Sequence, residues 1–226
     1  MSKAQYDKVG AAFLKHQKAF YEGKGDETGK FISDSIAEAN MMGYNKNVLD
    51  LGCGDGSRFP FMTGLGRRMG LDESEFMVKK AREANVYSSV YKGSMEDIPL
   101  PNDCVDIVTA RFSLLILRGL DKTYDEVNRV LRPDGLFVAV VAHPLEGLFR
   151  QKGKTYGKVE AIDVPLFDGK VTVRDYSHSF SDYISRRYLQ HFDLFRLYEG
   201  KQMEAHLPGV DYVIPGFLGF AGVKRR

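Results

Sequence analysis

Gly52, Gly54 and Gly56 alternate with Cys53 and Asp55 directly after the apolar run Val48-Leu49-Asp50-Leu51. Lacking Cβ atoms, three glycines at this spacing let the backbone turn sharply and approach a bound molecule closely. Asp50 puts one carboxylate near the end of a run that otherwise suits a buried parallel strand. If the turn feeds a helix, the unpaired N–H groups of its first turn add hydrogen-bond donors. The chemistry on offer is the cradling of an extended small molecule with polar or anionic groups.

Two other readings of the segment stay open at this point. The dinucleotide fingerprint is G-x-G-x-x-G, with an acidic residue about 20 positions on. Here Ser57 stands where the third glycine belongs, and Asp50 replaces the usual apolar end of a nicotinamide-binding strand. Both points disfavour a nicotinamide-dependent reductase. A structural turn with no ligand is the other alternative.

The chain resembles class I S-adenosylmethionine-dependent methyltransferases, and five segments in order carry the resemblance. Asp50-Leu51-Gly52-Cys53-Gly54-Asp55-Gly56 is similar to the first motif. Gly70-Leu71-Asp72-Glu73-Ser74, followed by Met77 and Ala81, is similar to the second strand end and its helix. Gly93-Ser94-Met95-Glu96-Asp97-Ile98-Pro99-Leu100 resembles the adenine-side loop, Asp106-Ile107-Val108 the fourth strand, and Val130-Leu131-Arg132-Pro133-Asp134-Gly135 the turn into the fifth.

The resemblance implies S-adenosyl-L-methionine as cofactor and S-adenosyl-L-homocysteine as product. It places Asp50, Gly52, Cys53, Gly54 and Gly56 at the methionine part of the cofactor. Asp72, with Glu73 beside it, would accept from the ribose hydroxyls, a task suited to two carboxylate oxygens. Ser94, Met95 and Glu96 fall at the adenine edge; the family often has Asp where Ser94 stands, so Ser94 or Glu96 takes that contact. Arg111 and Phe112 would line the side where donor and acceptor meet. Asp134 replaces a frequent glycine, and Asp tolerates the turn geometry.

The elements that must position these residues follow from periodicity. Residues 3–22 and about 27–41 read as N-terminal helices, with Gly23, Gly25 and Asp26 between them. Strands are expected near 47–51, 67–72, 87–92, 104–110 and 136–142, and helices near 57–65, 74–84 and 121–131. Ser74 and Asp121 are expected N-caps. This alternation predicts an α/β, doubly wound parallel sheet. The resemblance extends it to a Rossmann-like seven-stranded sheet, mostly parallel with an antiparallel last strand. A helix is expected at 181–191, then an antiparallel hairpin from Phe192–Tyr198 and Tyr212–Val223. One domain over 1–226 is expected: a helical cap (1–42), a cofactor-binding core (43–142), a lid or substrate region after strand five (143–183), and a C-terminal helix and hairpin (184–226).

Candidate acceptor-side residues lie after the fifth strand, in the lid and on the first helix. Ligands of open α/β sheets bind beyond the C-terminal strand ends. His143 directly follows strand five and is a base or acceptor-orienting candidate; a histidine bracing the turn before Pro144 is the structural alternative. His178, in Tyr176-Ser177-His178-Ser179, is a second candidate, with Tyr176 as a substrate contact. Tyr6 and Phe13 share one face of the first helix, which the family often folds over the cofactor. Aromatic residues in the lid suit an apolar, aromatic or cationic acceptor, or ordinary packing.

Composition removes other classes. At 226 residues, 43% hydrophobic and 27% charged, the chain reads as a globular protein with one substantial core. The net charge of +2 argues against nucleic acid, and no apolar run approaches the length needed to span a bilayer. Cys53 and Cys104 suggest no disulfide framework, and with no secretory signal the expected location is the cytoplasm. Lys224-Arg225-Arg226 reads as a solvated basic end. No Cys/His spacing suits zinc, no magnesium site can be assembled, and no metal is expected. Neither the Asn/Asp-Pro-Pro-Tyr motif of amino-methylating nucleic-acid enzymes nor a Pro-Cys nucleophile is present. The expected partner is a small-molecule methyl acceptor, with a homodimer left open. A methyltransferase acting on protein or RNA and a non-catalytic cofactor-binding module are the alternatives.

Overall fold

The computed structural model describes residues 5–22, 25–43, 45–59, 64–146, 155–201, 205–206 and 213–226. Helices α1 (Tyr6–Tyr21) and α2 (Glu27–Glu38) precede strand β1 (Val48–Leu51). Then come β2 (Arg68–Asp72), α3 (Glu75–Ala84), β3 (Ser89–Lys92), β4 (Val105–Arg111), α4 (Asp121–Val130) and β5 (Leu131–Ala142). After them lie β6 (Ala161–Leu166), β7 (Val171–Tyr176), α5 (Phe180–Tyr183), α6 (Arg186–His191), β8 (Phe192–Gly200), β9 (Ala205–His206), β10 (Val213–Ile214) and β11 (Phe217–Lys224).

One seven-stranded sheet runs in the order β3-β2-β1-β4-β5-β11-β8. The first five strands are parallel, and β11 lies antiparallel to both β5 and β8. The doubly wound sheet with an antiparallel last strand is therefore present as expected. The strand order reverses between β1 and β4, which opens a crevice at their C-terminal ends.

Burial explains why these segments are strands. β4 is buried over Val105–Ala110 and β5 is a continuous apolar run over Leu136–Ala142, because both faces are covered. Phe137, Ala139 and Val141 face Tyr124, Tyr188 and Phe220, whereas Leu136, Val138 and Val140 join Phe31, Ile32 and Ile36 of α2 on the other face. This period of two splits the core into two layers, one on each side of the sheet.

Several boundaries differ from expectation. The helix expected at 57–65 is absent from the described part of that segment: residues 57–59 form turns, and Leu65 bridges to Gly43. Residues 60–63 lie outside the described residues. The region after the glycine loop therefore supplies no described helix N-terminus. α2 stops at Glu38, where Asn40 takes a left-handed φ of +54°. The helix expected at 181–191 is two short helices, each restarted by a serine cap, Ser179 and Ser185. Ser74 caps α3 by accepting from Met77 N, but Leu120, not Asp121, is the N-cap position of α4. Asp134 adopts φ +61°, the turn geometry expected of it. The basic end is pinned rather than solvated: Lys224 reaches Asp103, Arg225 reaches Asp193 and Arg226 reaches Asp134. Tyr212, expected in the terminal hairpin, lies outside the described residues.

The lid region contains the β6–β7 antiparallel hairpin. α1 ties it to the core. Gln5 pairs through its side-chain amide with the backbone of Arg174, and Phe13 and Phe20 meet Phe167 at the hairpin tip. On its other side α1 is anchored by Asp7, which accepts from Ser74 Oγ and Phe76 N. Among the described residues no helix is long and apolar enough to cross a membrane.

Candidate active site

The loop after β1 is held from both ends. Gly52 N and Cys53 N donate to Leu71 O at 2.8 and 3.0 Å, so the loop follows the end of β2. Gly52, Gly54 and Gly56 all have positive φ, which L-residues with a Cβ resist. Their surroundings differ. A Cβ on Gly52 would lie 2.3 Å from Ser113 Cβ, whereas a Cβ on Gly54 would meet nothing within 4 Å. Gly52 is thus glycine because protein lies against it, and Gly54 faces open space.

Asp72 sits opposite that space. Its Oδ2 accepts from Gly54 N and its Oδ1 from Ser74 N, both at 2.9 Å. Burial raises its pKa, and these two backbone hydrogen bonds oppose that shift. Glu73 beside it is exposed. In the loop after β3, Ser94 Oγ accepts from Glu96 N, Met95 is buried in the core and Glu96 is exposed.

Other expected cofactor residues are engaged by the protein. Asp50 is buried, with Tyr87 Oη donating to one oxygen at 2.6 Å and Thr109 Oγ1 to the other at 2.8 Å. Desolvation pushes its carboxyl up to about 6. Cys53 is buried under Gly70, and burial raises its thiol pKa. Arg111 turns towards α2, pairing with Asp26 and donating to Thr28 Oγ1 and to Arg58 O. Phe112, at φ +52°, packs partly buried against the α2 layer. The donor side thus brings together Gly54, Asp72, Glu73 and the 94–96 turn, while Asp50, Cys53 and Arg111 brace it from behind.

The residues expected on the acceptor side form a second group. A cavity of about 40 Å³ lies between the C-terminal end of β5 and the β6–β7 hairpin. It is lined by His143, Tyr176 and His178, three of the five residues expected on the acceptor side, together with Asp175, Glu146 and Tyr183, whereas Tyr6 and Phe13 do not line it. The two histidines differ. His143 Nε2 lies 2.7 Å from Glu199 Oε1, and its Nδ1 accepts from Leu145 N at 3.3 Å. Both of its nitrogens are occupied, with the proton on Nε2. His178 Nε2 donates to Leu117 O at 2.8 Å, which leaves Nδ1 as a buried lone pair with no partner among the described residues. Burial lowers its pKa and keeps the ring neutral at pH 7. His178 also lines a more open pocket of about 400 Å³ with Glu96, Arg118 and Lys122.

Tyr6 links the two groups. Burial raises its phenol pKa, with Asp175 and Asp72 adding in that order, so the hydroxyl lies in the field of both carboxylates. Phe13 touches Tyr6 edge-on at 5.1 Å and reaches Phe167 rather than the cavity. Asp175 was not singled out from sequence, although a signal existed. Val171-Thr172-Val173-Arg174-Asp175 alternates, and the period of two puts Asp175 on the same buried face as the two valines. Tyr87 and Asp26, which hold Asp50 and Arg111, carry no comparable local signal.

These residues fit S-adenosylmethionine. Gly54 leaves the space for close approach, and Asp72 offers carboxylate oxygens for ribose hydroxyls. No group of acidic, histidine or cysteine side chains among the described residues could hold a metal ion.

Comparison with known proteins points the same way. A family profile described as a methyltransferase domain matches residues 49–139. An uncharacterized protein of Methanocaldococcus jannaschii is 27% identical over 80% of this chain and 71% of its own length. The malonyl-[acyl-carrier protein] O-methyltransferase of Pectobacterium atrosepticum is 33% identical over 39% of this chain, a segment spanning only 36% of that enzyme. A crystal structure from Listeria monocytogenes, assigned as an S-adenosylmethionine-dependent methyltransferase, superposes with a TM-score of 0.68. It covers 88% of this chain and 99% of its own at 21% identity, a likeness of fold. The matched segment runs from the strand that carries the glycine loop to the strand that ends at the cavity, and over it the chain carries a methyltransferase domain similar to those of S-adenosylmethionine-dependent methyltransferases.

Proposed function

We propose that this chain methylates a small molecule whose reacting end enters the cavity beneath the β6–β7 hairpin. The observation that carries this reading is the roof. The chain's own β6–β7 hairpin lies over the end of β5 and leaves a partly open space of about 40 Å³, suited to a small group and not to a polymer. S-adenosylmethionine supplies a methyl group on a positively charged sulfur and leaves as S-adenosylhomocysteine.

What the protein adds is placement and dryness. Asp72 and the Gly52–Gly56 loop hold the donor, with Asp50 bracing the loop through Tyr87 and Thr109. α1 and the hairpin exclude water. His178 Nδ1 accepts a hydrogen bond or a proton from the acceptor, its ring oriented by Leu117 O. His143, bound at both nitrogens, positions the turn after β5.

The test is incubation of the chain and methyl-labelled S-adenosylmethionine with a cell extract, followed by separation by size. Label in small molecules is the expected outcome. Label confined to protein or RNA would overturn the acceptor class and favour the macromolecular alternative.

A further inference from the structure

The polar lining of the cavity is one-sided. Among the described residues it contains Asp175 and Glu146 and no lysine or arginine. Asp175 is 8% exposed, and its carboxylate accepts no hydrogen bond from another described residue. The titratable groups around it are the phenols of Tyr6 from α1 and Tyr183 from α5, Glu146 after β5, and the two cavity histidines. None of these described groups is a fixed cation. His143 is spent on Glu199 and Leu145, so what remains unpaired is a carboxylate and the His178 Nδ1 lone pair.

We propose that the acceptor is an organic amine, recognised through its protonated nitrogen by Asp175; this rests on the cavity being the acceptor site. A buried carboxylate without a counter-charge is costly, and the ligand supplies the missing cation. An ammonium carries several N–H donors, enough to satisfy Asp175 and His178 Nδ1 together. An alcohol brings one donor and no charge, and an anionic acceptor is repelled by Asp175. The flanking Tyr176 and Tyr183 rings suit a cation as well.

The same carboxylate resolves the chemical difficulty of an amine acceptor, which cannot attack while protonated. One N–H proton passes from the ammonium to Asp175. The freed lone pair forms the N–C bond to the methyl carbon as the C–S bond breaks, and that electron pair stays on sulfur as a neutral thioether. The nitrogen keeps the positive charge, and the proton leaves Asp175 for water when product departs. Burial holds the Asp175 carboxyl at about 7, where it can both take and release a proton near neutrality.

The experiment is calorimetric titration of the chain saturated with S-adenosylhomocysteine, using ethylammonium chloride and ethanol as probes at pH 8. Ethylammonium is expected to bind at least about tenfold more tightly than ethanol. Asp175→Asn is expected to abolish that preference while affinity for S-adenosylhomocysteine stays within about twofold. A second readout needs no variant. Ethylammonium keeps its charge across neutrality, so its advantage should fade as the pH drops below about 7 and Asp175 protonates. Ethylammonium binding no tighter than ethanol, a preference retained in Asp175→Asn, or one independent of pH would each overturn the inference. Failure of the wild-type chain to bind S-adenosylhomocysteine would instead take down the donor reading beneath it.

Discussion

The carboxylate of Asp72 accepts the backbone N–H of Gly54 at 2.9 Å, joining the end of β2 to the one loop glycine that faces open space. The residue that would hold the ribose therefore also shapes the loop that would hold the methionine. Asp72→Ala is expected to weaken S-adenosylhomocysteine binding by about 2 kcal/mol or more, on the order of thirtyfold, because hydrogen bonds to a charged acceptor are lost. Calorimetric titration checks this. An affinity within twofold of wild type would remove Asp72 from the site.

The two glycines on either side of Cys53 should fail differently. Gly52→Ala places a methyl 2.3 Å from Ser113 Cβ at a φ of +66°, so both folding stability and cofactor binding should drop. Gly54→Ala meets no protein atom and carries only the left-handed strain of roughly 1–2 kcal/mol. That variant should fold yet bind S-adenosylhomocysteine poorly, since its methyl occupies ligand space. Thermal melts beside titrations separate the cases, and wild-type binding by Gly54→Ala would show that the space is not used.

Arg111 is 9% exposed and pairs with Asp26 at the start of α2, 85 residues away in sequence. Arg111→Ala leaves Asp26, Thr28 Oγ1 and Arg58 O without this partner. A cost of roughly 2–4 kcal/mol in unfolding free energy is expected from denaturant titration. The acid limb should change too. Although burial opposes it, the Arg111 charge and hydrogen bonds hold the Asp26 pKa below its usual value. That contribution is present above the ordinary carboxylate pKa and lost as pH falls through the lowered one. Equal acid sensitivity of wild type and variant would contradict the pairing.

Asp50 has the opposite sign. Its folded pKa of about 6 lies above that of an unfolded aspartate, so its contribution is full below about pH 4 and is lost as pH rises towards 6. The interval corresponds to roughly 3 kcal/mol. Asp50→Asn should therefore gain stability relative to wild type between pH 4 and about 7, read from chemical denaturation at each pH. A constant difference across that range would refute the assignment.

The two histidines make a last pair. His143→Ala removes a ring bound to Glu199 and Leu145 N and should lower stability by roughly 1–3 kcal/mol. His178→Ala should lower methyl transfer at least about tenfold while the KM for S-adenosylmethionine stays near wild type. Transfer unaltered in His178→Ala would leave its free nitrogen without a role in the reaction.

Local sequence carried the sheet and the donor loop. Buried parallel strands are nearly continuous apolar runs, glycines are demanded wherever φ is positive, and Ser74 caps α3 through an atom three residues away. Such signals lie within a few residues of what they describe. The helix expected at 57–65 marks the limit of such signals, since residues 57–59 form turns and Leu65 bridges to Gly43.

What only the tertiary structure decided is which side chains are already taken. Asp50 and Arg111 look from sequence like ligand-facing residues, yet Tyr87, Thr109 and Asp26, which occupy them, lie 37, 59 and 85 residues away. His143 and His178 are indistinguishable as letters. They part because β8 brings Glu199 to one, whereas the other bonds Leu117 O through Nε2 and keeps Nδ1 without a hydrogen-bond partner among the described residues. The spacing of Gly52, Gly54 and Gly56 was enough to announce a loop of positive-φ glycines, because backbone conformation is a local property. Which side chains share the cavity depends on how β5 and β7 are packed, and only the fold brings Asp175 and the unpaired His178 nitrogen to one lining.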